Sequence, residues 1–144
     1  AHLSPPLRSE DDRKAALAAV ADGTIDVLCS GHDPRGPEEK RLPFADASPG
    51  ASSAETLLAL GLGLDLPVER LFAMLAVNPA RVLGVDTGSL MPGQPADLML
   101  LDPRASWQIR GEAMKARAGN TPFDGLPTQG KVLRLWKGGK EISA

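Results

Sequence analysis

Apolar positions divide the chain into two textures. From Ser9 to Ala21 they recur at helical spacing, with Ala16, Leu17 and Val20 on one face. Ser9 stands where a cap is needed, Asp12 follows in the place of a capping-box acid, and Asp22-Gly23 stops the helix. Ile25 to Cys29 is a short apolar run bounded by turn residues, the pattern of a buried strand, with Cys29 an inert interior thiol. From Ser30 to Gly50 no period is visible, and Pro, Gly and charge dominate. A loop this long inside a compact domain is usually functional or disordered, and one directly after a buried strand lies where α/β proteins build their sites. Periodicity returns in a helix from Ser53 to Leu62, capped by Ser52 or Ser53. A second helix, Pro67 to Ala76, opens on its proline, and a short one, Asn78 to Leu83, is capped by Asn78 and ended by Gly84. The texture then changes to strands and turns. Leu98 to Leu101 reads as a strand ending at Asp102-Pro103, and one more helix falls near Gly111 to Ala118. Lys131 to Trp136 alternates and turns through Gly138-Gly139 into Glu141-Ile142, a hairpin. The first half is thus α/β and the last third a small β module. Met91, Met99 and Met114 read as packing residues.

Composition narrows the function classes. The 144 residues suit one domain or one large piece of a bigger one. A net charge of -2, without a run of one sign, argues against nucleic-acid and membrane-surface partners. Aromatics at 3%, with no tyrosine, leave little for a base-stacking or sugar-stacking surface. No apolar run approaches the ~20 residues of a membrane helix. Cys29 is the single cysteine, so no internal disulfide forms, which suits a reducing cytoplasm. No internal repeat is present.

Several strings, in order, carry a resemblance. Ser4-Pro5-Pro6-Leu7-Arg8 runs into Ser9-Glu10-Asp11-Asp12-Arg13. Asp22-Gly23-Thr24-Ile25-Asp26-Val27, Pro37-Glu38-Glu39-Lys40 and Glu55-Thr56 follow. Then come Asn78-Pro79-Ala80-Arg81, Gly88-Ser89-Leu90 through Pro92-Gly93 to Ala96-Asp97-Leu98, Asn120-Thr121-Pro122-Phe123-Asp124-Gly125 and Gly130-Lys131-Val132. Each is weak alone; as an ordered set they resemble the dihydroorotase branch of the amidohydrolase superfamily. The resemblance implies an α/β fold: the C-terminal part of a (β/α)8 metal-dependent hydrolase barrel, plus part of a small β-sandwich module. Residues 1–84 would be the last part of the barrel and residues 85–144 the C-terminal segment with strands of the module. The earlier strands, with the family's H-x-H metal pair, are not in this sequence. Ala1-His2-Leu3 resembles the H-H-L stretch after a metal-binding strand, here abutting Ser4 directly.

The resemblance also locates a site and a departure from it. The last barrel strand of the family ends in D-H-A-P-H, whose aspartate holds the metal and takes a proton from the attacking water, and whose last histidine binds the substrate carboxylate. The corresponding residues are Gly31-His32-Asp33-Pro34-Arg35. Gly31 has no side chain. Asp33 is a candidate substitute, but along a strand it would lie about 6.6 Å further on, a large shift against metal–oxygen bonds of roughly 2.0–2.2 Å. Arg35 can pair with a substrate carboxylate, or be a solvated charge beside Glu38 and Glu39. Gly50 falls where the family closes a glycine-bearing loop over substrate; the plain alternative is a Pro-Gly turn. His32 is a loop histidine or a ligand, and His2 a remnant metal ligand or a chain-end histidine.

The implied function is that of a dihydroorotase-family protein, hydrolysing a cyclic amide in de novo pyrimidine biosynthesis. The missing aspartate makes this one catalytically silent, a structural partner of aspartate transcarbamoylase. Two alternatives stay open: an active zinc-dependent dihydroorotase whose other site residues lie upstream, or a non-enzymatic anion-binding module using Arg35. Zinc belongs to the family; this chain alone is expected to bind none. The expected partners are the rest of its own barrel chain and an oligomer, since a third of a barrel leaves open strand edges.

Overall fold

A computed structural model describes residues 2–142. Ala1, which opens the Ala1-His2-Leu3 stretch, and residues 143 and 144 at the end of the C-terminal segment lie outside the described residues. Helix α1, Glu10–Asp22, forms as its sequence predicts. The Ser9 hydroxyl accepts the Asp12 amide, the Asp12 carboxylate accepts the Ser9 amide, and Gly23 ends the helix at φ 96°.

Ile25 to Cys29 differs from the sequence expectation. The run has no strand partner among the described residues; Cys29 is exposed and Ile25 is 36% exposed. An apolar run becomes a strand only when a second backbone is there to pair with it. Here the Ile25 amide donates to Ala19 O and the Leu28 amide to Met74 O, both on helical segments. Within the loop that follows, Pro37–Lys40 forms a short helix, α2, opened by its proline.

A 3-10 turn, Ala54–Thr56, leads into α3, Leu57–Leu62. Neither serine caps it by side chain: Ser53 Oγ turns away to Ser30 O at 2.7 Å. Helix α4, Val68–Phe72, and helix α5, Asn78–Leu83, were expected as separate helices. They are continuous through a π-turn, Ala73–Val77, where the Asn78 amide reaches back to Ala73 O. Pro79 has no N–H to offer the preceding turn, and widening by one residue accommodates it. Asn78 therefore does not cap; its Nδ2 donates to Asp26 O at 2.7 Å and ties down the unpaired segment.

The β module closes within the chain. β1, Leu98–Gln108, pairs antiparallel with β2, Pro127–Lys137, which pairs with β3, Lys140–Ile142, giving the order β1-β2-β3. β1 runs past the expected stop, because Asp102-Pro103 is only an irregularity. The Asp102 carboxylate accepts the Arg104 and Ala105 amides, and pairing resumes at Ser106. Gly138 and Gly139, at φ 56° and 77°, make the two-residue turn of the expected hairpin. The helix expected over Gly111 to Ala118 shrinks to a 3-10 turn, Gly111–Ala113. The Lys115 and Ala116 amides go to Glu55 Oε1 instead, at 2.8 and 3.0 Å.

The core is thin. Leu71, Met74 and Ile109 are its large members; Val20, Ala47, Ala51, Ala59 and Ala80 fill the rest, with Ser52 and Thr56 fully buried beside them. The chain exposes 9900 Å², against about 7,100 Å² for a compact monomer of 15.1 kDa. Met91, expected to pack, is 68% exposed. Among the described residues no helix is long and apolar enough to cross a membrane.

Candidate functional site

The end of the extended segment, Ser30 to Arg35, meets three other stretches: the end of the loop at Pro49-Gly50, the start of the 3-10 turn at Ser52 to Ala54, and Ala118 to Asn120 from between β1 and β2. The segment is anchored locally. Ser30 Oγ accepts the His32 amide, and the Asp33 amide donates to Ala51 O at 2.9 Å.

Gly31 stands apart from this cluster. Its φ is +56°, and a Cβ built on it would have no heavy atom within 4 Å. The position is sterically open, but its backbone lies in the left-handed region that favours glycine.

His32 acts as a helix cap. Its Nδ1 accepts the Ser53 amide at 3.0 Å and the Ala54 amide at 3.1 Å. Two backbone donors thus converge on one ring nitrogen. The cap that Ser52 or Ser53 was expected to supply thus comes from a residue more than twenty positions upstream.

Asp33, Arg35 and Gly50 come together. Arg35 Nη2 lies 2.8 Å from Asp33 Oδ2, Nη1 lies 3.6 Å from Glu39 Oε1, and Nε donates to Pro49 O at 3.0 Å. All three guanidinium nitrogens face groups of this chain. Gly50 is buried at φ +125°, and a Cβ there would sit 2.5 Å from Asp33 O and 2.7 Å from Asp33 Oδ2. Only glycine lets Asp33 approach this closely, so Gly50 is more than a solvent-facing turn.

His2 joins through its backbone. Its carbonyl accepts the Gly50 amide at 3.0 Å, while its ring stacks on Phe44 with centroids 4.5 Å apart. The buried Nδ1 of His2 has no partner among the described residues.

Asn120 is the member that sequence reasoning missed. Its Oδ1 accepts the Arg35 amide at 2.9 Å, its Nδ2 donates to Gly50 O at 3.1 Å, and its backbone carbonyl accepts the Ser52 amide at 2.9 Å. Ser52 Oγ also donates to Ala118 O. The available signal was Asn120 in Asn120-Thr121-Pro122-Phe123-Asp124-Gly125, a turn-rich string with one side chain able both to donate and to accept.

The donor set does not fit a metal ion. Among the described residues no three His, Cys, Asp or Glu side chains converge closely enough to hold one. The two nearest candidates at the tip are engaged, His32 Nδ1 by two amides and Asp33 Oδ2 by a guanidinium. An added anion at Arg35 would meet the Asp33 and Glu39 carboxylates already on its guanidinium, which opposes its binding.

Comparisons with known proteins identify the family and the fold. A model described as "Amidohydrolase family" matches residues 3–142. A protein named dihydroorotase from Desulforapulum autotrophicum is 40% identical over 146 residues, which is 99% of this chain and 34% of that protein. One of the same name from Geobacter metallireducens is 38% identical over 148 residues, again 99% and 34%. Among solved structures, an L-hydantoinase (dihydropyrimidinase) from Arthrobacter aurescens superposes with a TM-score of 0.89 at 28% identity, covering 98% of this chain and 34% of that one. The chain thus spans about a third of the length of the curated relatives it matches.

Proposed function

Because this chain belongs to the amidohydrolase family, as an α/β piece of its (β/α)8-barrel architecture with a small sheet, we propose that the protein carrying it is a dihydroorotase-type member that has lost catalysis at this strand tip. Its role is then structural, as a partner of aspartate transcarbamoylase in pyrimidine biosynthesis in the reducing cytoplasm. One observation carries the reading. Asp33, the carboxylate that could replace an acid placed by the resemblance at Gly31, is paired at 2.8 Å with Arg35. A proton acceptor beside a metal needs a free anionic oxygen, and a guanidinium on that oxygen competes for the same lone pairs. The large exposed area, including Leu90 at 82% and Val82 at 76%, supports further protein contacts, from the rest of its own barrel or from a partner.

The similarity to proteins named dihydroorotase, at 36–40% identity, favours a second reading: an active zinc-dependent enzyme whose acid comes from another segment. Arg35 as the centre of an independent anion site receives less support, since its guanidinium is already shared between two carboxylates and a carbonyl.

The full-length protein decides between the first two. The silent reading expects no turnover of dihydroorotate or of the open-chain carbamoyl aspartate, with zinc supplied, and a stable complex with aspartate transcarbamoylase. Turnover together with stoichiometric zinc would refute it.

A further inference from the structure

The tip of the extended segment is polar and sharply folded, and its charged and amide side chains pair with one another and with nearby backbone. We infer that the Asp33–Arg35 ion pair, clamped by Asn120, is what orders this tip, taking the place of a bound metal. The inference deepens the reading above at the same tip, but it concerns what holds the loop rather than whether the whole protein catalyses.

Three observations carry it. First, Asp33 is held on two sides: Arg35 Nη2 reaches its Oδ2, and the glycine backbone at position 50 comes closer to it than any side chain would permit. The guanidinium gives this half-exposed carboxylate a fixed partner and so a fixed position. Second, Arg35 extends the pairing along the loop. It reaches Glu39 in α2 and Pro49 O at the end of the loop, so one planar fork bridges the two. Third, Asn120 holds the loop from outside. Its side-chain amide accepts from Arg35 N and donates to Gly50 O, using both the oxygen and the nitrogen of one side chain. The tip is therefore tied to the segment between β1 and β2, and through His32 to the turn that opens α3.

The test uses the full-length protein, with zinc content after equilibration with zinc, the visible spectrum after cobalt substitution, and hydrogen exchange of residues 33–50. Asp33→Asn keeps the shape and removes the charge. It is expected to leave bound zinc and the cobalt spectrum unchanged, and to speed exchange of the loop roughly two- to fivefold. Arg35→Gln is expected to do the same, and the double variant to exceed neither single one, because the two act on one interaction. Asn120→Ala removes two hydrogen bonds and is expected to speed exchange roughly tenfold or more. Loss of zinc or an altered cobalt spectrum in Asp33→Asn would make Asp33 a ligand and overturn the inference. Unchanged loop exchange in Asp33→Asn and Arg35→Gln would overturn it too. Dihydroorotate turnover by the unmodified protein would sink the silent reading while leaving this inference intact, provided Asp33→Asn retains that turnover; turnover lost in Asp33→Asn would sink this one.

Discussion

Ile25 to Cys29 and β1–β2 are both apolar, β-prone runs, yet only β1–β2 forms a ladder. β1 finds β2 within the chain, and β3 extends the sheet through a two-glycine turn. Trp107 then pins the ladder, its Nε1 donating to Gly130 O at 2.9 Å. Ile25 to Cys29 finds no such neighbour among the described residues and is held by isolated bonds to α1, the π-turn and Asn78. The difference teaches that strand propensity is a permission and that a partner backbone is the requirement.

The largest expected contrast is in amide exchange of this chain. The Asp26, Val27 and Cys29 amides have no acceptor among the described residues, whereas Ile25 and Leu28 do. Exchange at Asp26, Val27 and Cys29 should outpace that of the β1–β2 ladder by about a hundredfold or more, with Ile25 and Leu28 intermediate. Equal protection across both regions would erase the distinction. A smaller effect should come from Trp107→Phe, which leaves Gly130 O without its donor and is expected to cost about 1 kcal/mol. A denaturation midpoint followed by a probe in the sheet should fall, while exchange in the 33–50 loop stays as it was. The smallest effect concerns α1, a third kind of element that needs neither partner. The Ser9 hydroxyl, and then the Ser9 amide, hold the Asp12 carboxyl below its ordinary value. A lowered folded-state pKa contributes stability above the unfolded value that is lost as pH falls through the folded one. Fraying of the first turn of α1, read from its amides by NMR, should rise only in that acid range, and Ser9→Ala should weaken the pH dependence without removing it, since the backbone amide at position 9 still donates to Asp12.

These three regions also divide what could be read in advance. α1 was legible to its ends because cap, capping-box acid and stop signal all lie within fifteen residues of one another. The final hairpin was legible for the same reason, its turn written in two adjacent glycines. The helix expected over Gly111 to Ala118 was not, since Glu55 draws off the Lys115 and Ala116 amides. The join between α4 and α5 was hidden too, because Pro79 reads as a break although a π-turn absorbs it. At the candidate site, Gly31, Asp33, Arg35 and Gly50 were nameable from an ordered resemblance, but their pairing was not. Whether Arg35 faces solvent, an anion or Asp33 depends on where the chain brings Pro49 and Glu39.

By itself, then, the sequence determined the family, α1 with its caps, the final hairpin turn, and the absence of a side chain at Gly31, because each depends on residue identity or short-range spacing. Tertiary structure alone decided that His32 caps a distant turn, that Asn120 clamps both ends of a loop, and that Arg35 is spent on Asp33. Those outcomes depend on hydrogen-bond partners up to 85 positions away, which no local pattern encodes.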